Sequence, residues 1–115
     1  MKTQIGGTHY LKYPVSPINW ALDNHINAAE FSILRYLLRY RDKNGIEDLD
    51  KAIHYVQILM RHGFITKNQD AIDRIEGFCT ANRLSSHQRA ALVALFEHDY
   101  TEFNHIIQLM RREYE

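Results

Sequence analysis

The chain has 115 residues, 45% of them hydrophobic, and its 14 lysines and arginines are matched by 14 aspartates and glutamates. That length suits one compact domain able to bury a core of its own. The cancelled charge excludes a global field that would draw the whole protein to nucleic acid or an anionic membrane, so any anion site must be local and nucleic acid is not an expected partner. The single cysteine, Cys79, has no internal disulfide partner and builds no CxxC or zinc framework. No apolar run approaches the roughly 20 residues of a membrane span, and the opening MKTQIGG offers no hydrophobic segment for a secretion signal. The expectation is a soluble cytoplasmic protein without a membrane partner.

Residues 1 to 17 carry Gly6, Gly7, Pro14 and Pro17, with Thr8, His9, Tyr10 and Tyr13 between them, and read as a loop or extended arm. Ser16 can then cap a short helix that has Pro17 in its first turn and Ile18, Leu22 and Ile26 at four-residue spacing, ending near His25. Asn27, with Glu30 three positions on, caps a second helix whose apolar face holds Phe31, Ile33, Leu34, Leu37, Leu38 and Tyr40. Asn44-Gly45 stops it in a left-handed turn. A third helix is expected from about Ile46 to His62, with Leu49, Ile53, Val56 and Met60 on one stripe and Gly63 at its end. Beyond the polar stretch 66–69, a fourth carries Ile72, Ile75, Phe78 and Cys79. Ser85 or Ser86 caps a fifth with Ala91, Leu92, Leu95 and Phe96 buried, and Asp99 or Thr101 caps a sixth with Phe103, Ile106, Ile107, Met110 and Tyr114. No segment alternates as a strand does. The fold class is all-α: a compact bundle of about five to six short helices with an extended N-terminal arm.

The chemistry concentrates in the first half. On the second helix Ser32, Arg35, Tyr36, Arg39 and Lys43 fall on neighbouring turns, so three cations and a tyrosine share one flank. Arginine presents a planar fork that matches phosphate oxygens in pairs, and a tyrosine face beside it can receive a base. Across the Asn44-Gly45 turn the third helix returns antiparallel and brings Glu47, Asp48, Lys51 and Tyr55 along a comparable strip. A packing alternative stands beside this one, with Arg35 or Arg39 paired to Asp48 or Glu30 and Tyr36, Tyr40 and Tyr55 filling the helix interface. Residues 63 to 115 read as plain amphipathic helices, either part of the same compact unit or an oligomer surface.

Other signatures are absent. Seven histidines form no HExxH or comparable ligand pair, Gly6-Gly7 does not open a GxxxxGK[ST] loop, and Cys79 lies in an apolar stripe that marks it as core and not a nucleophile. A helix-turn-helix within Leu84 to Arg112 has exposed positions of mixed charge.

The run GGTHY, then YPVSPINW, then RYLLRYRDKNGIEDLDKAIHYV resembles the small phage-encoded SaV-like family, which includes nucleotide kinases of lytic phages. The pattern is filled by Gly7, His9 and Tyr10, by Tyr13 and Pro17, by Arg35, Tyr36, Arg39 and Tyr40, by Lys43 and Gly45, and by Asp48, Leu49, Lys51, Ala52 and Tyr55. It covers about residues 6 to 60. The chain departs from it in Arg35, where the family has lysine, and in Phe31-Ser32, where a Gly-Asn is expected.

The resemblance implies a phage nucleotide-binding protein similar to kinases of deoxynucleoside monophosphates, using ATP and magnesium in the cytoplasm of an infected bacterium. Arg35, Arg39, Lys43 and Lys51 would hold phosphates, Tyr36 and Tyr55 would stack on a base, His9 and Tyr10 would close over it, and Asp48 would position magnesium. A homo-oligomer is expected from apolar positions on the last two helices. Two alternatives remain open: capture of a nucleotide or cyclic-oligonucleotide second messenger without turnover, against host defence, and inhibition of a host protein through the C-terminal helices.

Overall fold

Helix starts in this chain are written in short polar side chains, and the structure places them there. The structure is a computed structural model and describes residues 13–63 and 66–114. Ser16 caps α1 (Pro17–Asp23), Asn27 and Glu30 form a reciprocal capping box on α2 (Ala28–Arg39), and α3 spans Ile46–His62. Asn68 caps α4 (Gln69–Ala81), Ser85 and Gln88 form a second capping box on α5 (Ser86–Phe96), and Asp99 accepts the Glu102 N–H at the start of α6 (Tyr100–Tyr114). Each such cap satisfies a backbone donor that the first turn leaves without a partner. The all-α expectation holds: among the described residues there are six helices and no strand.

Four helices end in a left-handed residue. Gly63 ends α3, but His25, Arg83 and His98 adopt the same conformation after α1, α4 and α5 with φ near +60°. At each of these three, the next residue donates back to the carbonyl five positions earlier: Ile26 to Ala21, Leu84 to Cys79 and Asp99 to Ala94. The paired bonds satisfy the last carbonyls of the helix and outweigh the strain of a side chain at positive φ.

Long-range packing makes one core from both halves of the sequence. Trp20 of α1 lies 5.0 Å from the Phe78 ring and 5.9 Å from Phe96, joining α1 to α4 and α5. α2 and α3 form the most extensive pairing, α6 packs on α5 and α3, and α5 also touches α4 and α2. α5 is accordingly buried on several sides, at Gln88, Ala91, Leu92, Ala94, Leu95 and Phe96. Amide side chains stitch the halves. Asn82 both donates to and accepts from the Val15 backbone at 2.9 Å, Gln88 donates to the buried Leu37 carbonyl at 2.7 Å, and Asn68 donates to the Asn24 carbonyl at 2.7 Å.

Three stripes differ from the periodicity. Leu22 is 68% exposed and Ile18 is also exposed, because the seven-residue α1 turns the far larger Trp20 inward with Pro17 and Ala21. On α3 the buried stripe is Leu49, Ala52, Val56 and Leu59, which leaves Met60 53% exposed. α2 ends at Arg39, so Lys43 sits in the following turn, its N–H bonded to the Arg39 carbonyl. The apolar residues of α5 and α6 expected to face a second copy lie mostly in this core. No described helix is long and apolar enough to cross a membrane.

Glu30 is buried, and burial pushes its carboxyl above the ordinary 4.5, opposed by the Asn27 N–H that it accepts. Because the folded pKa is raised, folding takes up a proton, and stability falls as pH rises from 4.5 through that raised value. Glu30→Gln preserves the capping geometry and should be more stable than the parent at pH 7, the advantage shrinking toward pH 4.5 in urea titrations. Arg83→Gly relieves the left-handed strain of an exposed residue and should stabilise the fold by about 1 kcal/mol; an unchanged denaturation midpoint would contradict this account of the α4 terminus.

Candidate functional site

The turn between α2 and α3 is organised around one carboxylate. Asp48 is fully buried, at 0% exposure, and both its oxygens are engaged. Oδ2 accepts from Arg39 Nε and from the Asn44 N–H, and Oδ1 accepts from Arg39 Nη2 and Asn44 Nδ2, all at 3.3–3.4 Å. Gly45 takes φ +59° beside it, and a Cβ there would stand 2.7 Å from Cε1 of Tyr114. Tyr114 also meets Tyr40 at 6.0 Å, and Arg111 of α6 lies 3.1 Å from Asp50, near enough to pair in charge though its Nε–H is not aligned as a hydrogen bond. α6 thus braces one flank of the α2–α3 pair.

The opposite flank carries the cations and rings. Tyr36 is the hub: the Arg39 guanidinium lies 5.0 Å from its ring centre, the Lys51 ammonium 5.9 Å and the Tyr55 ring 5.9 Å. His54 stands edge-on to Tyr55 at 5.8 Å. One turn back on α2, Arg35 reaches over Phe31 at 6.0 Å. The three rings Phe31, Tyr36 and Tyr55 rest on the core and are partly buried. The i to i+4 spacing on each helix and the antiparallel return across the turn produce this arrangement.

Charge on this flank is unevenly available. Arg39 is committed to Asp48, with its side chain 34% exposed, and Lys51 is loosely paired with Glu47 at 3.9 Å. Arg35 and Lys43 are exposed and make no ion pair among the described residues. The structure therefore brings Tyr36, Arg39, Lys51 and Tyr55 together, sets Arg35 over Phe31 farther round α2, and leaves Lys43 at the turn. It also realises one pairing of the packing alternative, Arg39 with Asp48. His9 and Tyr10 lie outside the described residues.

Residues 6–57 match a protein family of unknown function, DUF3310. The DUF3310 match contains every cation and ring of the face and stops two positions past Tyr55. No curated protein and no solved structure matches the chain.

Magnesium does not fit at Asp48. That ion demands a near-octahedral shell at about 2.0–2.1 Å and keeps several waters, whereas this carboxylate is sealed from solvent with four donors already on it. Nor does Cys79 offer a nucleophile: burial, reinforced by Glu76, pushes its thiol up to about 11. Two concavities lie elsewhere. One of about 330 Å³ lies between α4, α5 and α6, rimmed by Glu76, Glu97 and Glu102, and one of about 240 Å³ lies beside Tyr40 and Tyr114.

His54 and Phe31 belong to the face although the sequence pattern gave them no binding role. Phe31 was legible as a ring four residues before Arg35, and His54 as the neighbour of Tyr55 in the chain, to which its ring stands edge-on.

Removing Arg39 leaves a buried charge held by Asn44 alone. Arg39→Ala should cost about 2 kcal/mol, within the range for an unsatisfied buried polar group and below that of a fully buried pair because Arg39 is partly in water. Arg39→Ala combined with Asp48→Asn should recover much of the loss in chemical denaturation; additive losses would mean the two side chains act independently.

Proposed function

We propose that the protein binds nucleotides on the α2–α3 face, with phosphates met by Arg35, Lys51 and the outer edge of Arg39 and a base laid against the Tyr36–Tyr55 pair. The observation that carries this reading is Tyr36 itself, a partly buried ring with two cations within 6 Å of its centre and a second tyrosine alongside. A guanidinium or ammonium beside a ring supplies charge for phosphate and a flat apolar surface for a base in one place. Pure packing would favour leucine over a ring whose hydroxyl needs water.

The likeness to phage nucleotide kinases supplies the activity: phosphoryl transfer from ATP to a deoxynucleoside monophosphate during infection. Such a reaction is largely positioning and charge neutralisation, which an arginine-rich face can contribute. Magnesium would arrive with the ATP phosphates, since Asp48 is occupied.

A second reading is capture without turnover, a phage protein that sequesters a nucleotide signal. The sealed state of Asp48 favours it, because the face then has cations and rings to hold a ligand but no free carboxylate at its centre to orient an attacking group.

Incubation with ATP, magnesium and each deoxynucleoside monophosphate decides between them. Formation of ADP supports the kinase; retention of unmodified nucleotide with a raised melting temperature supports capture. Lys51→Glu should weaken binding about tenfold by reversing one charge beside Tyr36 while shifting stability by no more than about 0.5 kcal/mol, as for other exposed positions. Equal affinity of Lys51→Glu and the parent for every nucleotide tested would place binding elsewhere.

A further inference from the structure

α5 is apolar on a side that its neighbours leave partly open. Residues 90–96 read AALVALF, an unbroken apolar run of about two turns, so every side of the helix is apolar there. Gln88, Ala91, Leu92, Leu95 and Phe96 are buried in the core. The strip turned away from them holds Ala90, Val93 and Glu97. A surface helix ordinarily carries polar residues on such a strip. α4 and α6 each pack on α5 but form no substantial pairing with one another, and the concavity of about 330 Å³ lies among the three helices. Ala90, Val93, Ala94 and Ile106 supply its apolar lining.

The rest of the lining is charged and mostly of one sign. Glu76, Glu97, Asp99 and Glu102 stand against the single guanidinium of Arg89, in a chain whose charges as a whole cancel. Arg89 pairs with Glu76 at 2.8 Å and Lys67 reaches Glu97 at 3.6 Å. Asp99 accepts the Glu102 N–H, and neither Asp99 nor Glu102 makes an ion pair among the described residues. Ion pairs at the surface contribute little to stability, so those of Glu76 and Glu97 are readily exchanged for others. An apolar floor under an acidic rim suits a ligand that is apolar along one side and cationic at its edges. The gap that two helices leave over a third is the shape a further helix fills.

We infer that the groove between α4, α5 and α6 docks a basic amphipathic helix of another protein, its apolar stripe on Ala90 and Val93 and its lysines or arginines against Glu102, Asp99 and Glu76. A second copy of this chain is a poor occupant. A two-fold contact sets the same patch against itself, and here it would press one acidic rim on the other. The groove is separate from the α2–α3 face, since none of its lining residues belongs to those helices. The inference therefore stands or falls independently of nucleotide binding.

The probe is a designed peptide of about five helical turns, with leucines at i, i+3, i+4 and i+7 and lysines elsewhere, titrated by fluorescence anisotropy against the full chain. The controls are a scrambled peptide of the same composition and a copy with glutamate for every lysine. The amphipathic peptide should bind about tenfold more tightly than the scrambled one, and the acidic copy should not bind. Glu102→Lys should weaken binding about fivefold and flatten its dependence on salt, whereas Glu113→Lys, at the far end of α6, should change it by less than about twofold. Arg89→Ala should tighten binding about threefold by freeing Glu76, a gain that damage to the fold would not produce. Val93→Gln should cost about tenfold. Circular dichroism checks that α5 is intact in that variant; if it is not, the exposed Glu102 and Arg89 variants carry the test. Equal binding of the two lysine peptides, or equal losses in Glu102→Lys and Glu113→Lys, would mean diffuse charge attraction and overturn the groove. No binding of the amphipathic peptide overturns it too. A concentration-dependent dimer in sedimentation that Val93→Gln dissolves would make a second copy the occupant and overturn the partner named here.

Discussion

A single buried carboxylate decides how the first half of this protein is put together. Asp48, in the first turn of α3, reaches back across the Asn44-Gly45 turn to both the backbone and side chain of Asn44 and to the guanidinium of Arg39 at the end of α2. A buried ion pair is weak evidence of net stability, since a well-packed apolar pair of the same shape often does as well. Its bonds are directional, however. They fix the angle at which α3 leaves the turn, and so which residues of the two helices share a flank. Were α3 rotated by one residue, Tyr55 and Lys51 would swing about 100° away from Tyr36.

That constraint explains the division of labour around the α2–α3 pair. Leu49, Ala52, Val56 and Leu59 go inward, α6 covers one flank through Arg111 and Tyr114, and the rings and cations are left outward on the other. A protein with no net charge can still present a local cation: Arg35 is exposed and makes no ion pair among the described residues, whereas Arg39 and Lys51 are offset by Asp48 and Glu47. The global balance of charge and the local chemistry answer different questions.

The parts of this arrangement legible in the sequence are those governed by local rules. Ser16, Asn27 with Glu30, Ser85 and Gly63 act through hydrogen bonds to their own helix ends, so neighbours three or four positions away suffice to place them. Rotation of a helix about its axis is settled by distant partners. Ile18 and Leu22 have the spacing of a buried stripe, yet α1 presents Trp20 inward because Phe78 and Phe96 come together beneath it from two other helices. Met60 fits the apolar period of α3 but stands beside the buried stripe of Leu49, Ala52, Val56 and Leu59 and is exposed. The candidate face shows the same split. Its members on α2 and α3 followed from periodicity, whereas the commitment of Arg39 to Asp48 depended on a turn geometry that the residues between them permit without dictating.

The amide stitches between the halves bear on what kind of unit the matched segment is. The similarity to DUF3310 ends at residue 57, but Leu37, Val15 and Asn24 within it have backbone groups bonded by Gln88, Asn82 and Asn68, all beyond that point. Buried backbone groups without partners cost free energy, so the described part of the matched segment depends on the later helices for these bonds. Two of these places take a donor, and at Val15 Asn82 supplies both a donor and an acceptor. The later helices are constrained here by where they set down three amides.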